Sequence, residues 1–192
     1  MVGVPQDNGR RNWERHANMI LIGLGSNMTG PWGSPRDCVG RALAELDKHP
    51  LKLCKASTLI ETTPFGRQDQ PSYINAVARI ETRLRALPLL YALRTIERSA
   101  GRERRERWGE RTLDLDILDY NGVTVEDGVE QSTDAELVLP HPAIAEREFV
   151  LAPIAEIAPR WKHPTTGLTA KAMLAALDPG HGGNVIDGGP VS

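Results

Sequence analysis

Arg107-Trp108-Gly109-Glu110-Arg111-Thr112-Leu113-Asp114-Leu115-Asp116 is the stretch on which the fold turns, because here a cationic loop passes into an alternating strand. Asp114 and Asp116 are one residue apart and interleaved with Leu113, Leu115, Ile117 and Leu118. A strand over residues 114–119 therefore puts both carboxylates on one face and Leu115 and Ile117 on the other. Such a pair suits a hard cation: magnesium takes oxygen ligands, keeps several waters, and is commonly held by one or two carboxylates plus substrate phosphates. Taken alone, Asp-x-Asp reads more simply as a solvated strand edge. The upstream residues give it weight. From 98 to 111 there are six arginines (98, 102, 104, 105, 107, 111) against three glutamates (103, 106, 110), a density that can hold a polyphosphate beside the metal. Without the carboxylates the same run would be a salt-bridged surface loop.

Upstream of that loop, Pro88 opens a helix whose Leu89, Leu90, Leu93 and Ile96 form an apolar stripe, and Gly101 stands where a helix ends. Residues 19–24 are an apolar run ending in Gly25-Ser26-Asn27, read as a buried strand leaving through a turn where a ligand can approach Gly25 closely. Ser34-Pro35 is a cap and first-turn signal for a helix carrying Val39, Ala42, Leu43 and Leu46, which stops before Pro50. Residues 51–60 and 74–81 have strand character, separated by a long Pro- and Gly-containing loop that is a candidate binding element. Downstream, Asn121-Gly122 is a turn dipeptide across which residues 123–125 can pair back, and 126–136 form an acidic excursion. Pro140-His141-Pro142 is a rigid turn, 149–157 return apolar material to the core, and 168–177 have helix-forming composition. The order β-α-β-β-α-β with further elements predicts an α+β, ferredoxin-like split βαβ sheet in one domain, with helices on one face.

The 192 residues suffice for one substantial core, with 1–18 as an N-terminal extension, 19–177 as the domain and 178–192 as a Gly-rich, flexible tail. A net charge of −2 gives no general nucleic-acid or membrane footprint. The two cysteines, Cys38 and Cys54, lack metal-site spacing and favour a reducing compartment. No apolar stretch approaches the roughly 20 residues of a membrane span, and residues 3–18 lack a secretory signal's apolar run, so a cytoplasmic protein is expected.

Four separated motifs converge, in order, between residues 19 and 177: Gly25-Ser26-Asn27; Glu61-Thr62-Thr63-Pro64-Phe65-Gly66-x-Gln68-Asp69-Gln70-Pro71-x-Tyr73-x-Asn75; Arg107-Trp108-Gly109-x-Arg111-Thr112-Leu113-Asp114-Leu115-Asp116; and Pro140-His141-Pro142 followed by Arg147-x-Phe149. Together they resemble the 6-hydroxymethyl-7,8-dihydropterin pyrophosphokinases. The resemblance implies transfer of pyrophosphate from ATP to the pterin hydroxymethyl group, giving AMP and the pterin diphosphate in folate biosynthesis. It implies two magnesium ions on Asp114 and Asp116, and catalytic roles for these with Arg102 and Arg111, whose planar guanidinium forks match phosphate oxygens. Asp116 is also a candidate to help deprotonate the hydroxyl. On the pterin side it points to Gly25, Thr62, Phe65, Tyr73, Asn75 and Phe149, with the two aromatics Tyr73 and Phe149 stacking on the ring. On the ATP side it points to Leu90, Glu97, Trp108, Ile117, His141 and Arg147. For Glu97 an exposed helical carboxylate, and for Ile117 a core position, are the plain alternatives. A monomer with mobile catalytic loops is expected, with ATP and the pterin as partners and no nucleic acid or membrane.

The sequence departs from the familiar pattern at Thr63 and Phe65, where proline and leucine are frequent, and at Pro142, where some members carry an aromatic. The loop from Gly101 to Trp108 is one residue short, which blurs the register of Arg104 and Arg105. Two other functions fit parts of the chain. One is a nucleic-acid-binding ferredoxin-like module, opposed by the negative charge, the missing RNP aromatics and the paired aspartates. The other is a kinase moving a single phosphoryl group, which would release ADP.

Overall fold

A computed structural model describes residues 19–64, 70–102, 111–124, 137–178 and 185–189. The first strand, β1 (Ile20–Ser26), alternates between two cores, Ile20, Ile22 and Leu24 facing one and Leu21 the other. Helix α1 (Pro35–Glu45) starts where the sequence signals it. Ser34 Oγ accepts from the Asp37 amide and the Asp37 carboxylate accepts from the Ser34 amide, so two otherwise orphaned donors are satisfied reciprocally, with Pro35 in the first turn. Strands β2 (Leu51–Ala56), β3 (Leu59–Thr62) and β4 (Tyr73–Thr82) follow.

Residues 51–60, expected as one strand, are broken at Ser57. Its amide donates to Val77 O at 2.9 Å while its Oγ accepts from the Val77 amide at 3.0 Å. A side chain thus replaces one rung of the ladder, which ends β2 and lets β3 restart. Helix α2 (Ala86–Ser99) begins two residues before Pro88 and buries Leu89 and Leu93 completely, each contributing about 2 kcal/mol of apolar transfer. It ends at Gly101, whose φ of 81° is a conformation glycine adopts without cost. Then come β5 (Asp114–Tyr120), a 3₁₀ turn (Ile144–Glu146), α3 (Glu148–Ile157), α4 (Ala170–Leu174) and β6 (Val185–Gly189).

The antiparallel sheet runs β5-β1-β4-β3-β6, with β2 also on β4. Helices α1 and α2 pack on the face that presents Ile22, Leu24, Ala78, Ile80, Leu115 and Ile117. The other face presents Leu21, Val77 and Leu118 to α3 and α4, which bring Leu151, Ile154 and Met173, with Trp161 from the segment between them. Helices therefore cover both faces and not one as expected, because the apolar run at 149–157 folds as α3 on the face that α1 and α2 leave bare. Glu156 of α3 pins it there, accepting from Thr58 N at 3.1 Å and Thr58 Oγ1 at 2.9 Å.

The turn at Asn121-Gly122 forms as expected, with φ of 55° and 74°, but residues 123–124 do not pair as a strand, and 125–136 lie outside the described residues. Within the stretch expected to be a flexible tail, residues 185–189 form β6 on the outer edge of β3.

Candidate active site

Directly paired residues on neighbouring strands share a sheet face. Asp114 of β5 stands opposite Gly25 of β1, which stands opposite Asn75 of β4, while Asp116 stands opposite Gly23. One face of the sheet therefore brings the carboxylate pair, a bare glycine and a polar amide together, with Asp114, Gly25 and Asn75 in a single row. The glycine matters because a methyl group at Gly25 would sit 3.2 Å from Asn75 Oδ1.

On one side of this row is a charge cluster. Arg102 donates to Asp114 Oδ1 and to Glu97 Oε1, and Arg111 donates to Asp114 Oδ2, so two guanidinium groups hold both oxygens of one carboxylate. Asp116 is left without such a clamp and is 45 % exposed at its side chain. Crowding by protein, then the neighbouring Asp114 charge, push its pKa up to about 6 against the pull of Arg111, Arg102 and Arg147.

Glu97 is almost wholly buried, with 5 % of its side chain exposed. Burial raises its pKa to about 7, with the Arg102 charge opposing. Its Oε1 accepts both Arg102 and, at 2.8 Å, the amide of Leu115, an outward-facing donor of the edge strand β5. It is thus neither an exposed helical carboxylate nor open to a ligand, but a brace behind Arg102. Ile117 lies in the core on the α2 face, and Leu90 packs partly buried against the same cluster.

His141 reaches in from the turn after β5. Its amide donates to Leu118 O at 2.9 Å, and its Nδ1 accepts from the Ala143 amide at 3.2 Å, which assigns the ring proton to Nε2. That Nε2 lies 4.0 Å from Asp116 Oδ2. Burial and then Arg147 lower the histidine pKa, so the ring is a neutral donor at neutral pH. Arg147, at the start of α3, places its guanidinium 5.8 Å from the Phe149 ring centroid.

On the other side of the row, Asn75 Nδ2 donates to Thr62 Oγ1 at 2.9 Å, both residues buried. Tyr73, two residues before Asn75 on β4, donates its hydroxyl to Gln70 Oε1 at 3.3 Å. Phe65 and Trp108 lie outside the described residues, as do Arg104 and Arg105. The structure gathers Arg102, Arg111, Asp114, Asp116, His141 and Glu97 into one connected group, with Gly25, Asn75, Thr62 and Tyr73 along the adjoining strands.

Asn27 is the positioning residue that the motif reading passed over. Its backbone amide donates to Arg111 O at 3.1 Å, its Oδ1 accepts from the Arg111 amide at 2.9 Å, and its Nδ2 reaches Gln70 Oε1 at 3.4 Å and Pro71 O at 3.5 Å. Next to it, Ser26 Oγ donates to Thr112 O at 2.6 Å. A side chain on Gly30 would meet Thr112 Cγ2 at 2.7 Å, so the turn after β1 presses directly on the entry to β5. The available signal was the polar pair Ser26-Asn27 at the end of an otherwise apolar strand, where polar groups that become buried need partners.

Among the described residues, no group of three or more His, Cys, Asp or Glu side chains converges as a metal site. The chain offers two hard carboxylates and leaves other coordination positions to water and phosphate, a donor set that fits magnesium and not zinc.

A family model for 7,8-dihydro-6-hydroxymethylpterin-pyrophosphokinase (HPPK) matches residues 21–159. The chain is similar to the 2-amino-4-hydroxy-6-hydroxymethyldihydropteridine pyrophosphokinase of Haemophilus influenzae, 42% identical over 137 residues, which cover 71% of this chain and 79% of that one. The Methylorubrum extorquens protein of the same name is 38% identical over 159 residues, covering 82% and 92%. Among solved structures, the fold resembles Plasmodium falciparum HPPK-DHPS with pteroate, at a TM-score of 0.61 and 15% identity over 83% of this chain. The chain spans 42% of that longer polypeptide.

Proposed function

The chain belongs to the 7,8-dihydro-6-hydroxymethylpterin-pyrophosphokinase family, and from that premise we propose that the recess beside β5 is where pyrophosphate passes from ATP to the hydroxymethyl group of 6-hydroxymethyl-7,8-dihydropterin, giving AMP and the pterin diphosphate for folate biosynthesis. The observation that carries this reading is the row Asp114–Gly25–Asn75, which sets a phosphate-and-metal group and a ring-binding group side by side on one sheet face. The β5-β1-β4-β3 order with α1 and α2 on one face supports reading the core as ferredoxin-like, extended by α3, α4 and β6.

Asp114 and Asp116 would hold the magnesium, two ions in this reading, which would supply neutralisation of the phosphate charge. Arg102 and Arg111, engaged on Asp114 in the free protein, exchange that carboxylate for phosphate oxygens when nucleotide and metal arrive. His141 offers its Nε2 proton, and Arg147 its charge, from the opposite wall. Glu97 acts by holding Arg102, while Ile117 and Leu90 back the strand and helix that carry these groups, and Trp108 belongs to the same ATP side. Asp116 draws the proton from the pterin hydroxyl, a role that its raised pKa supports.

The pterin is held by Asn75, whose amide both donates and accepts, with Thr62 fixing its orientation and Gly25 leaving room for the ring. Tyr73 and Phe149 supply the stacking faces and Phe65 an apolar wall. The protein acts as a monomer in the cytoplasm, a placement supported by its two free cysteines. Mixing the chain with ATP, magnesium and 6-hydroxymethyl-7,8-dihydropterin, and omitting each in turn, tests the reading: AMP should appear only with all three, and ADP or turnover without pterin would refute it.

A further inference from the structure

The C-terminal strand β6 lies outside residues 21–159 that the family model matches, yet it is built into the sheet beside the pterin side of the site. It occupies the outer edge of β3, which is only four residues long. On its inner side β3 meets β4 through the pairs Ile60↔Asn75, Glu61↔Ile74 and Thr62↔Tyr73. On its outer side its partner is β6, through Leu59↔Gly189, Ile60↔Gly188, Glu61↔Asp187 and Thr62↔Val185. A strand this short with one neighbour would be an open, fraying edge, and a second neighbour is what gives it a fixed register.

The place where that register changes is informative. The β3–β6 ladder shifts between Glu61 and Thr62, where β6 carries one extra residue, Ile186, beside the residue whose Oγ1 accepts from Asn75 Nδ2 at 2.9 Å. An extra residue bends the strand that carries it, so β6 turns at Ile186 and stays on the edge of β3 as far as Thr62. Thr62 is buried between β4 and β6, and Asn75 takes its orientation from Thr62.

We propose that β6 is a working part of the pterin site: by closing the edge of β3 it holds Thr62, and through Thr62 the Asn75 amide, in the orientation that reads the ring. The inference rests on the assignment of Thr62 and Asn75 to the pterin. It makes the last residues of this chain a specificity element supplied from outside the family's common segment. Affinity for the pterin then depends on β6, while affinity for ATP, bound across β5 and α2, does not.

The test uses the full chain, a form ending at residue 178, and a full-length form carrying Asp187→Pro with Gly188→Pro, two neighbours in the regular part of the ladder. In an antiparallel pair alternate residues direct their amides at the neighbour, so one of two adjacent prolines removes a ladder donor whichever way β6 faces. Steady-state kinetics with each substrate varied separately should show KM for the pterin rising roughly tenfold in both altered forms, with KM for ATP changing less than about twofold. Amide hydrogen exchange at residues 59–62 should accelerate in step. Unchanged pterin KM despite faster exchange would overturn the proposal, as would equal rises in both KM values, which mark general loosening. Since the proline form keeps the whole chain, it decides the matter even where truncation prevents folding. An inactive but folded full chain would instead remove the pterin reading itself.

Discussion

Glu97 and Arg102 close the C-terminal turn of α2 twice over. The Arg102 amide donates to the Glu97 carbonyl at 3.1 Å, and the Arg102 guanidinium donates to Glu97 Oε1. Both donors to the carboxylate, Arg102 and the Leu115 amide, use Oε1, leaving Oε2 for a proton. The helix end, the edge strand and the Arg102 guanidinium are thereby fixed by one buried side chain.

A pH dependence of stability follows. Burial raises the Glu97 pKa from its ordinary 4.5 to about 7. The folded protein then keeps a proton that the unfolded chain releases, so this group's contribution is greatest at low pH and falls as pH rises from about 4.5 to about 7. The upper bound on the loss is on the order of 3 kcal/mol. Melting midpoints of the ligand-free protein between pH 5 and pH 8 should decline less steeply in Glu97→Gln than in the native chain; equal slopes would count against the buried, protonated carboxyl.

The two aspartates should separate in stability while agreeing in activity. Under the proposed metal assignment, either replacement by alanine should lower turnover at least about a hundredfold. Asp114→Ala also takes the carboxylate from Arg111 and leaves Arg102 with Glu97 alone, which should cost a few kcal/mol, whereas Asp116→Ala, at a half-exposed side chain, should shift stability by less than about 1 kcal/mol. Urea denaturation of both variants beside their kinetics checks this, and near-normal turnover in both would sink the metal assignment.

Asn27 joins the loop leading to Tyr73 with the chain entering β5. Asn27→Ala leaves the Arg111 amide without its side-chain acceptor at a buried position, so a loss of about 1–3 kcal/mol is expected, with KM for both substrates rising together. A rise confined to one substrate would show that the bridge does not couple the two sides.

Gly101 combines a φ of 81° with a position where a Cβ would lie 2.6 Å from Pro31 Cδ. Gly101→Ala should therefore destabilise the protein by about 1–3 kcal/mol and loosen Arg102 beside it, seen as a lower melting midpoint and a higher KM for ATP. An unchanged midpoint would mean that the turn after β1 yields without cost.

Much of this was legible in the sequence wherever a local rule fixed the outcome. Ser34-Pro35 marked a helix start, Asn121-Gly122 a turn, and the spacing of Asp114 and Asp116 a shared face. What escaped depended on distant partners. Ser57 breaks a strand only because Val77 lies beside it, and residues 185–189 become a strand only because the edge of β3 accepts them. The burial of Glu97 had a signal: it follows Leu89 and Leu93 at four-residue spacing, on the very stripe that faces the core, where a carboxylate requires a partner. Asn27 had only its place at the end of an apolar strand, and its four contacts come from residues far along the chain.

The measurement that bears most directly on the central claim is the fate of labelled phosphorus. ATP carrying label at the β-phosphorus, and separately at the γ-phosphorus, is incubated with the protein, magnesium and 6-hydroxymethyl-7,8-dihydropterin. Attack at the β-phosphorus predicts that both labels enter the pterin product and that unlabelled AMP is released in equal amount. Transfer of the γ label alone, with the β label remaining in ADP, would contradict pyrophosphoryl transfer at this site.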